Sequence, residues 1–128
     1  MLIPEKLHFL NEADVLDLLT PEDAIAAAED VFYHIGTGEV TVGKMVMMFA
    51  DEDHKNNFHS MPAILHHKAV AGVKWIDTYS APLPGYPFSH GNLVILSDVR
   101  TGSPITLVGA TNITTMRTAG GPGVVQAK

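Results

Sequence analysis

The segment FHSMPAILHHKAVAGVKWIDT, residues 58–78, determines the fold of this chain more than any other stretch. It contains two strand-length runs, 58–65 and 70–78, which are rich in apolar, β-branched and aromatic residues and are separated by a polar turn. Three further runs have the same composition between turn residues, at 44–50, 92–97 and 104–108. The sequence therefore predicts a sheet.

A hairpin loop is predicted between the last two of these strands. The residues DVRTG, 98–102, have the composition of a tight turn, in which Gly102 is free to take a positive φ. The strands on either side of this loop are therefore expected to be antiparallel neighbours.

The segment before the sheet predicts a short strand and two helices. The strand covers 7–10, and Asn11 is an N-cap for a brief helix over 13–19. Thr20 caps a longer helix with Pro21 in its first position. An apolar stripe at helical spacing is expected to pack this helix on the sheet, and it consists of Ile25, Ala28, Phe32 and Ile35.

After the sheet, Thr111 is predicted to cap a helix that carries Arg117 and runs into a glycine-rich turn at 120–123. Arg117 has hydroxyl neighbours and precedes small residues, so it can form a forked contact with a carboxylate or phosphate. The alternative is a surface ion pair. The stretch 120–123 lacks the GxGxxG spacing of a dinucleotide fingerprint, so no complete cofactor site is visible.

Length and composition restrict the class of protein. With 128 residues, of which 46% are hydrophobic and 17% charged, the chain is expected to form one globular domain. A net charge of -6 provides no electrostatic footprint for nucleic acid, and no apolar run is long enough for a membrane span. The absence of cysteine excludes disulfides and thiolate metal sites. We expect a cytoplasmic protein with a small-molecule or protein partner.

Lys74 is a candidate site residue in the run 70–78. Strand alternation puts Val73 and Trp75 on one face and Gly72 with Lys74 on the other. If that second face lines a cleft, burial lowers the lysine pKa and suits it to proton donation, carbonyl polarisation or carboxylate binding. The alternative, which spacing alone favours, is a solvated lysine on the open face of an antiparallel sheet.

His59 shares a predicted strand face with Met61 and has the chemistry of a general acid or base near neutral pH. The alternative, a hydrogen-bonded structural histidine, is favoured by spacing alone. The other histidines considered as zinc ligands are His54, His66, His67 and His90. Adjacent histidines on a strand point to opposite faces, and no carboxylate or cysteine has ligand-like spacing, so no metal is expected.

Five motifs, in their order along the chain, resemble the ornithine cyclodeaminase/mu-crystallin family. They are Ser60-Met61-Pro62-Ala63, Ala71-Gly72-Val73-Lys74, Gly85-Tyr86-Pro87, Leu96-Ser97-Asp98 with Thr101-Gly102-Ser103-Pro104, and Thr115-Met116-Arg117-Thr118-Ala119. The ordered set covers nearly the whole chain and is more specific than any one motif. The resemblance implies an α+β substrate-binding and dimerisation domain, in which a mixed, largely antiparallel sheet packs against N-terminal helices.

The resemblance also implies roles for individual residues. The family lysine that matches Lys74 binds substrate and takes part in catalysis, and the arginine that matches Arg117 contacts the substrate carboxylate or the cofactor region. A threonine near the cofactor matches Ser89. Two positions depart from the family: His59 replaces the catalytic glutamate of the cyclodeaminases, which argues against ornithine cyclisation, and Lys44 replaces an arginine, which keeps the charge but loses the fork.

The resemblance implies that the family's Rossmann domain, which holds the dinucleotide, lies outside residues 1–128. Residues 1–128 are therefore expected to be the substrate-binding half of an NAD- or NADP-dependent oxidoreductase for a small α-amino or α-imino acid, acting by oxidative deamination or imine reduction. Lys44, Lys74 and Arg117 would hold substrate, His59 would relay a proton, and the protein would be a homodimer. Two alternatives stay open: a cyclodeaminase that releases ammonia from ornithine with bound NAD, and a non-enzymatic mu-crystallin-like binding or dimerisation module.

Overall fold

The computed structural model describes residues 6–80, 84–85 and 91–126, of which 120–126 are described by their backbone alone. Within these residues the chain forms seven strands, three α-helices and a short 3-10 turn. In chain order they are β1 His8–Leu10, α1 Glu12–Leu18, α2 Pro21–Gly36, β2 Val40–Val42, β3 Val46–Phe49, β4 Asn56–Leu65, the 3-10 turn His66–Lys68, β5 Val70–Tyr79, β6 Leu93–Asp98, β7 Pro104–Gly109 and α3 Thr111–Gln126.

The strands form one sheet with the order β1-β7-β6-β5-β4-β2, and β3 also pairs with β4. Only β1 and β7 are parallel; the other pairs within the described residues are antiparallel. The longest ladder joins β4 to β5, from Asn56 opposite Tyr79 to Leu65 opposite Val70. This mixed, largely antiparallel sheet with helices confirms the predicted α+β class.

The hairpin between β6 and β7 is formed as predicted. Gly102 has a φ of 76°, and its N–H donates to the carbonyl of Asp98 at 2.7 Å. The N–H of Asp98 donates across the turn to the carbonyl of Ser103 at 2.9 Å. A left-handed residue at this position matches the twist of the two strands, which is why the turn favours glycine.

The two N-terminal helices begin at the predicted caps. The side chain of Asn11 accepts from the N–H of Asp14 at 3.0 Å, and Thr20 accepts from the N–H of Asp23 at 3.2 Å. The predicted packing of α2 on the sheet is wrong for most of its length, because α3 is the main neighbour of α2 and contact with the sheet is at β2. Three members of the predicted stripe are exposed, namely Ile25, Phe32 and Ile35.

Helix α3 is longer than predicted. It begins at Thr111 itself, and it continues through 120–123, where a turn was expected, to Gln126. As a whole α3 contacts α1 and α2, and tertiary packing of this kind can override the low helix propensity of glycine and proline. Among the helices the structure describes, none is long and apolar enough to cross a membrane.

Cross-strand register places neighbouring rows of side chains on opposite faces of the sheet. The lysine face contains the row Leu10, Val108, Val94, Lys74 and Met61. The open face contains the adjacent row Phe9, Leu107, Ile95, Val73 and Pro62. Val108 is buried, whereas Phe9 is 59% and Ile95 43% exposed. The lysine face is therefore covered around Val108, whereas the other face is open to solvent at Phe9 and Ile95.

Candidate functional site

Lys74 lies in the middle of β5, opposite Met61 of β4 and Val94 of β6. Its side chain is half-buried on the lysine face, as the predicted alternation with Val73 and Trp75 requires. Burial lowers the pKa of Lys74, and the Arg117 guanidinium lowers that pKa further. Of the two alternatives for this lysine, the structure favours the partly covered position over the solvated one.

Arg117 of α3 lies near enough to Lys74 for its positive charge to lower the pKa of the lysine. Among the residues that the structure describes, neither cation forms an ion pair with a carboxylate. Two neighbouring cations repel one another, and an anion between them relieves that repulsion. The guanidinium provides two parallel donors for a carboxylate, and the ammonium provides a point charge.

His59 lies on the lysine face, two residues from Met61 and opposite Ile76. It is therefore a diagonal neighbour of Lys74 across the β4–β5 ladder. Its Nδ1 is 3.1 Å from Oδ1 of Asn57, and because that oxygen is an acceptor, the hydrogen bond requires a proton on Nδ1; in the neutral ring Nε2 then carries the lone pair. The position fits a proton relay beside the two cations.

Lys44 is exposed in the connection between β2 and β3. Val42 pairs with Ala63, and Val46 pairs with Ser60. Between these two pairs the β2–β3 connection has three residues, 43–45, whereas β4 has only two, 61 and 62. This extra residue places Lys44 at a bulge next to Met61, one strand away from Lys74. Ser89, the residue matched to the cofactor region, lies outside the described residues.

A second group of ligand-type side chains was missed in the sequence. Asp30, His34 and His67 offer donor atoms within 4.8 Å of one another. Nε2 of His67 is 3.0 Å from Oδ2 of Asp30, and Nδ1 of His34 is 2.8 Å from the backbone oxygen of Asp30. The four-residue spacing of Asp30 and His34 on α2 was an available signal, whereas His67 joins them only through the fold.

This group connects α2 to the turn between β4 and β5. The rings of His34 and His67 are stacked, with centroids 3.6 Å apart and 6° between their planes. Parallel rings do not both direct an in-plane lone pair at one ion, and Lys68 Nζ already lies 3.4 Å from Oδ2 of Asp30. The hydrogen bond from His67 lowers the pKa of Asp30 against the effect of burial, with help from Lys68.

Comparison with known proteins finds one family model and several relatives that match most of this chain. The model of the ornithine cyclodeaminase/mu-crystallin family matches residues 5–128. The alanine dehydrogenase of Archaeoglobus fulgidus is 29% identical over 116 residues, which are 90% of this chain and 34% of that protein.

Two solved structures have the same fold over most of this chain. One is an archaeal alanine dehydrogenase dimer with bound NAD, with a TM-score of 0.80 and 29% identity over 91% of this chain and 35% of that one. The other is Delta(1)-pyrroline-2-carboxylate reductase of Thermococcus litoralis in complex with NADH and L-proline, with a TM-score of 0.79 and 27% identity over 91% and 36% of the two chains.

The chain thus spans about a third of the length of the proteins it matches. Over that third, the family model, the order of motifs and the fold agree, and the family model leaves only the first four residues unmatched. The chain belongs to the ornithine cyclodeaminase/mu-crystallin family.

Proposed function

We propose that this chain is the substrate-binding part of an NAD- or NADP-dependent oxidoreductase that acts on a small α-amino or α-imino acid. The observation that carries the proposal is the half-buried Lys74 ammonium beside Arg117 on the lysine face, without a carboxylate partner among the described side chains. A substrate with a carboxylate provides the missing negative charge. Relatives described as an alanine dehydrogenase with NAD and a reductase with NADH and L-proline support this substrate class.

In the proposed complex, Arg117 holds the substrate carboxylate with parallel hydrogen bonds and Lys44 adds positive charge from the bulge beside β4. Lys74 contacts the substrate nitrogen or the carboxylate, and its lowered pKa brings it closer to exchanging a proton near neutral pH. His59, on the same face, accepts or returns a proton through Nε2.

A nicotinamide dinucleotide supplies hydride transfer in enzymes of this class. The sequence contains no GxGxxG motif, and the described residues do not fit a complete dinucleotide site. Hydride transfer is therefore assigned to no residue of this chain. The contribution of the chain is to bind and orient the substrate and to move protons.

The proposal is tested by measuring carboxylate binding to the chain. Pyrrole-2-carboxylate, a planar and stable probe, is titrated into the chain, and its binding is followed by isothermal titration calorimetry. We expect Lys74→Met to weaken binding by about tenfold or more, because a charged hydrogen bond contributes roughly 1.5–3 kcal/mol. Lys55→Met, which removes an exposed lysine paired with Asp53 at 3.0 Å, is the matched control and leaves the affinity unchanged. Equal affinities for the Lys74→Met variant and the unmodified chain contradict the proposal.

We further propose a homodimer assembled through the open face. Five exposed large apolar residues have cross-strand partners that put them on this face, and they are Phe9, Val46, Met48, Trp75 and Ile95. Contiguous exposed apolar surface of this kind marks an interaction site. The archaeal alanine dehydrogenase, which is described as a dimer, supports a second copy as the partner.

Light scattering on the purified chain tests the dimer. Ile95→Lys introduces a charge in the middle of the open face and is expected to shift the mass from dimer to monomer. Thr101→Lys, in the exposed hairpin loop, is the control and leaves the mass unchanged. A dimer that persists in Ile95→Lys places the interface elsewhere.

A further inference from the structure

Helix α3 follows β7 without a loop, so its first N–H groups need partners from outside the helix. The carboxylate of Glu12, in the first turn of α1, provides them. Oε1 accepts from the N–H of Thr111 at 2.7 Å, and Oε2 accepts from the N–H of Asn112 at 3.1 Å and from its Nδ2 at 2.8 Å. The start of α3 is thus capped by a residue about a hundred positions earlier in the chain.

The approach of Glu12 to α3 is close and specific. A Cβ atom at Gly109 would lie 3.0 Å from Oε1 of Glu12 and 3.1 Å from its backbone nitrogen, so a larger residue there would require Glu12 to move by a few tenths of an ångström. Burial raises the pKa of Glu12, but the hydrogen bonds from Thr111 and Asn112 outweigh it and hold the pKa below its ordinary value. The carboxylate is therefore charged at neutral pH and opposite the positive end of the helix.

Arg117 lies on the same helix, six residues after Thr111, which corresponds to about 9 Å along the axis. The hydroxyls of Thr115 and Thr118 donate to carbonyls of α3 itself at 3.2 and 2.8 Å. They do not join the helix to the sheet. A short, regular helix transmits a shift of its first turn to its second, so the contact at Thr111 and Asn112 sets the position of Arg117.

We propose that Glu12 is a positioning residue, which fixes the start of α3 and thereby holds Arg117 beside Lys74 on the lysine face. Its importance for binding rests on the proposed function, in which these two cations hold the substrate carboxylate. The geometric part does not depend on any substrate.

The experiment uses the pKa of Lys74, measured in the ligand-free chain by the pH dependence of its ¹³Cε chemical shift. Arg117→Ala is expected to raise this pKa, because the repelling charge is gone. Glu12→Ala is expected to give most of the same rise, since Arg117 moves away, and Glu12→Gln a smaller rise, since the amide keeps one acceptor oxygen. The double variant Glu12→Ala/Arg117→Ala should match Arg117→Ala alone, because Glu12 acts through Arg117.

Glu22→Ala, which removes an exposed carboxylate from the first turn of α2, is the control and leaves the Lys74 pKa unchanged. A Lys74 pKa in Glu12→Ala or Glu12→Gln equal to that of the unmodified chain overturns the proposal, even if the variant is less stable. If Glu12→Ala does not fold, Glu12→Gln carries the decision. Pyrrole-2-carboxylate binding is measured separately, so a failure of the proposed substrate class does not alter the outcome for Glu12.

Discussion

Two adjacent rows of the sheet are one residue apart in sequence and differ in what covers them. The row through Lys74 lies under the helices, with Val108 buried and a second cation, Arg117, approaching from α3. The row through Ile95 contains only apolar residues and is open to solvent at Ile95 and Phe9. The covered row thus places one lysine among apolar side chains, and the exposed row consists of apolar residues.

An antiparallel sheet commonly packs one apolar face on a core and turns a polar face to water. Here the second face also exposes large apolar side chains, and a lysine lies among the apolar residues of the covered face. We infer that the two faces have different tasks. A cation under helices is suited to binding a small anion, and an apolar face in the open is suited to burial by another protein surface. The predictions below test the difference between the two faces.

The largest effect is expected from placing a carboxylate on each face. Val108→Asp buries an unpaired charge and should destabilise the chain by about 3–5 kcal/mol, which prevents folding if the chain is only marginally stable. Ile95→Asp leaves its charge in contact with water and should cost about 1 kcal/mol. Denaturant unfolding at a concentration where the chain is monomeric measures both. Equal losses would mean that the two faces are not covered differently.

The charge on Lys74 gives the next largest effect. Burial, followed by Arg117, lowers the pKa of Lys74 from 10.5, and a carboxylate ligand binds the protonated form. Affinity for pyrrole-2-carboxylate should therefore fall about tenfold per pH unit above the lowered pKa. The free energy of unfolding without ligand should change with pH in the opposite direction. Between the lowered pKa and 10.5 the unfolded chain binds the Lys74 proton more tightly than the folded chain does, so the free energy of unfolding should rise with pH in that range. Lys74→Met should abolish both trends between about pH 7 and pH 11.

The smallest of these effects concerns the hairpin that sets the register of β6 on β7. A slip of one residue would exchange the two faces, so Gly102, at a φ of 76°, protects the distinction between them. Gly102→Ala should cost about 1 kcal/mol because alanine is strained in the left-handed region. Gly91→Ala, in open space and without a positive φ, should change the free energy of unfolding by less than about 0.5 kcal/mol. Equal costs would show that the turn does not depend on glycine.

The sequence predicted the sheet, its hairpin and the helix caps because these depend on local chemistry. Strand composition at 58–65 and 70–78, the turn glycine at 102 and the caps Asn11 and Thr20 act within a few residues of where they stand. The short strand Val40–Val42 was not predicted. The extension of α3 through 120–123 was missed because glycine and proline argue against a helix there, and tertiary context can override such local propensity.

The candidate site divides in the same way. Alternation along one strand was enough to put Lys74 on the opposite face from Trp75, and the family resemblance pointed to Arg117. His59 was singled out by its strand position and its chemistry, at a position where the family's cyclodeaminases have a glutamate. Which face the helices cover, and hence whether Lys74 is solvated, was decided by the tertiary structure, because period-two alternation is the same in both cases. Two sets of hydrogen bonds join residues far apart in the chain: those of Glu12 with Thr111 and Asn112, and that of Asp30 with His67. Such contacts exist only once the chain has folded.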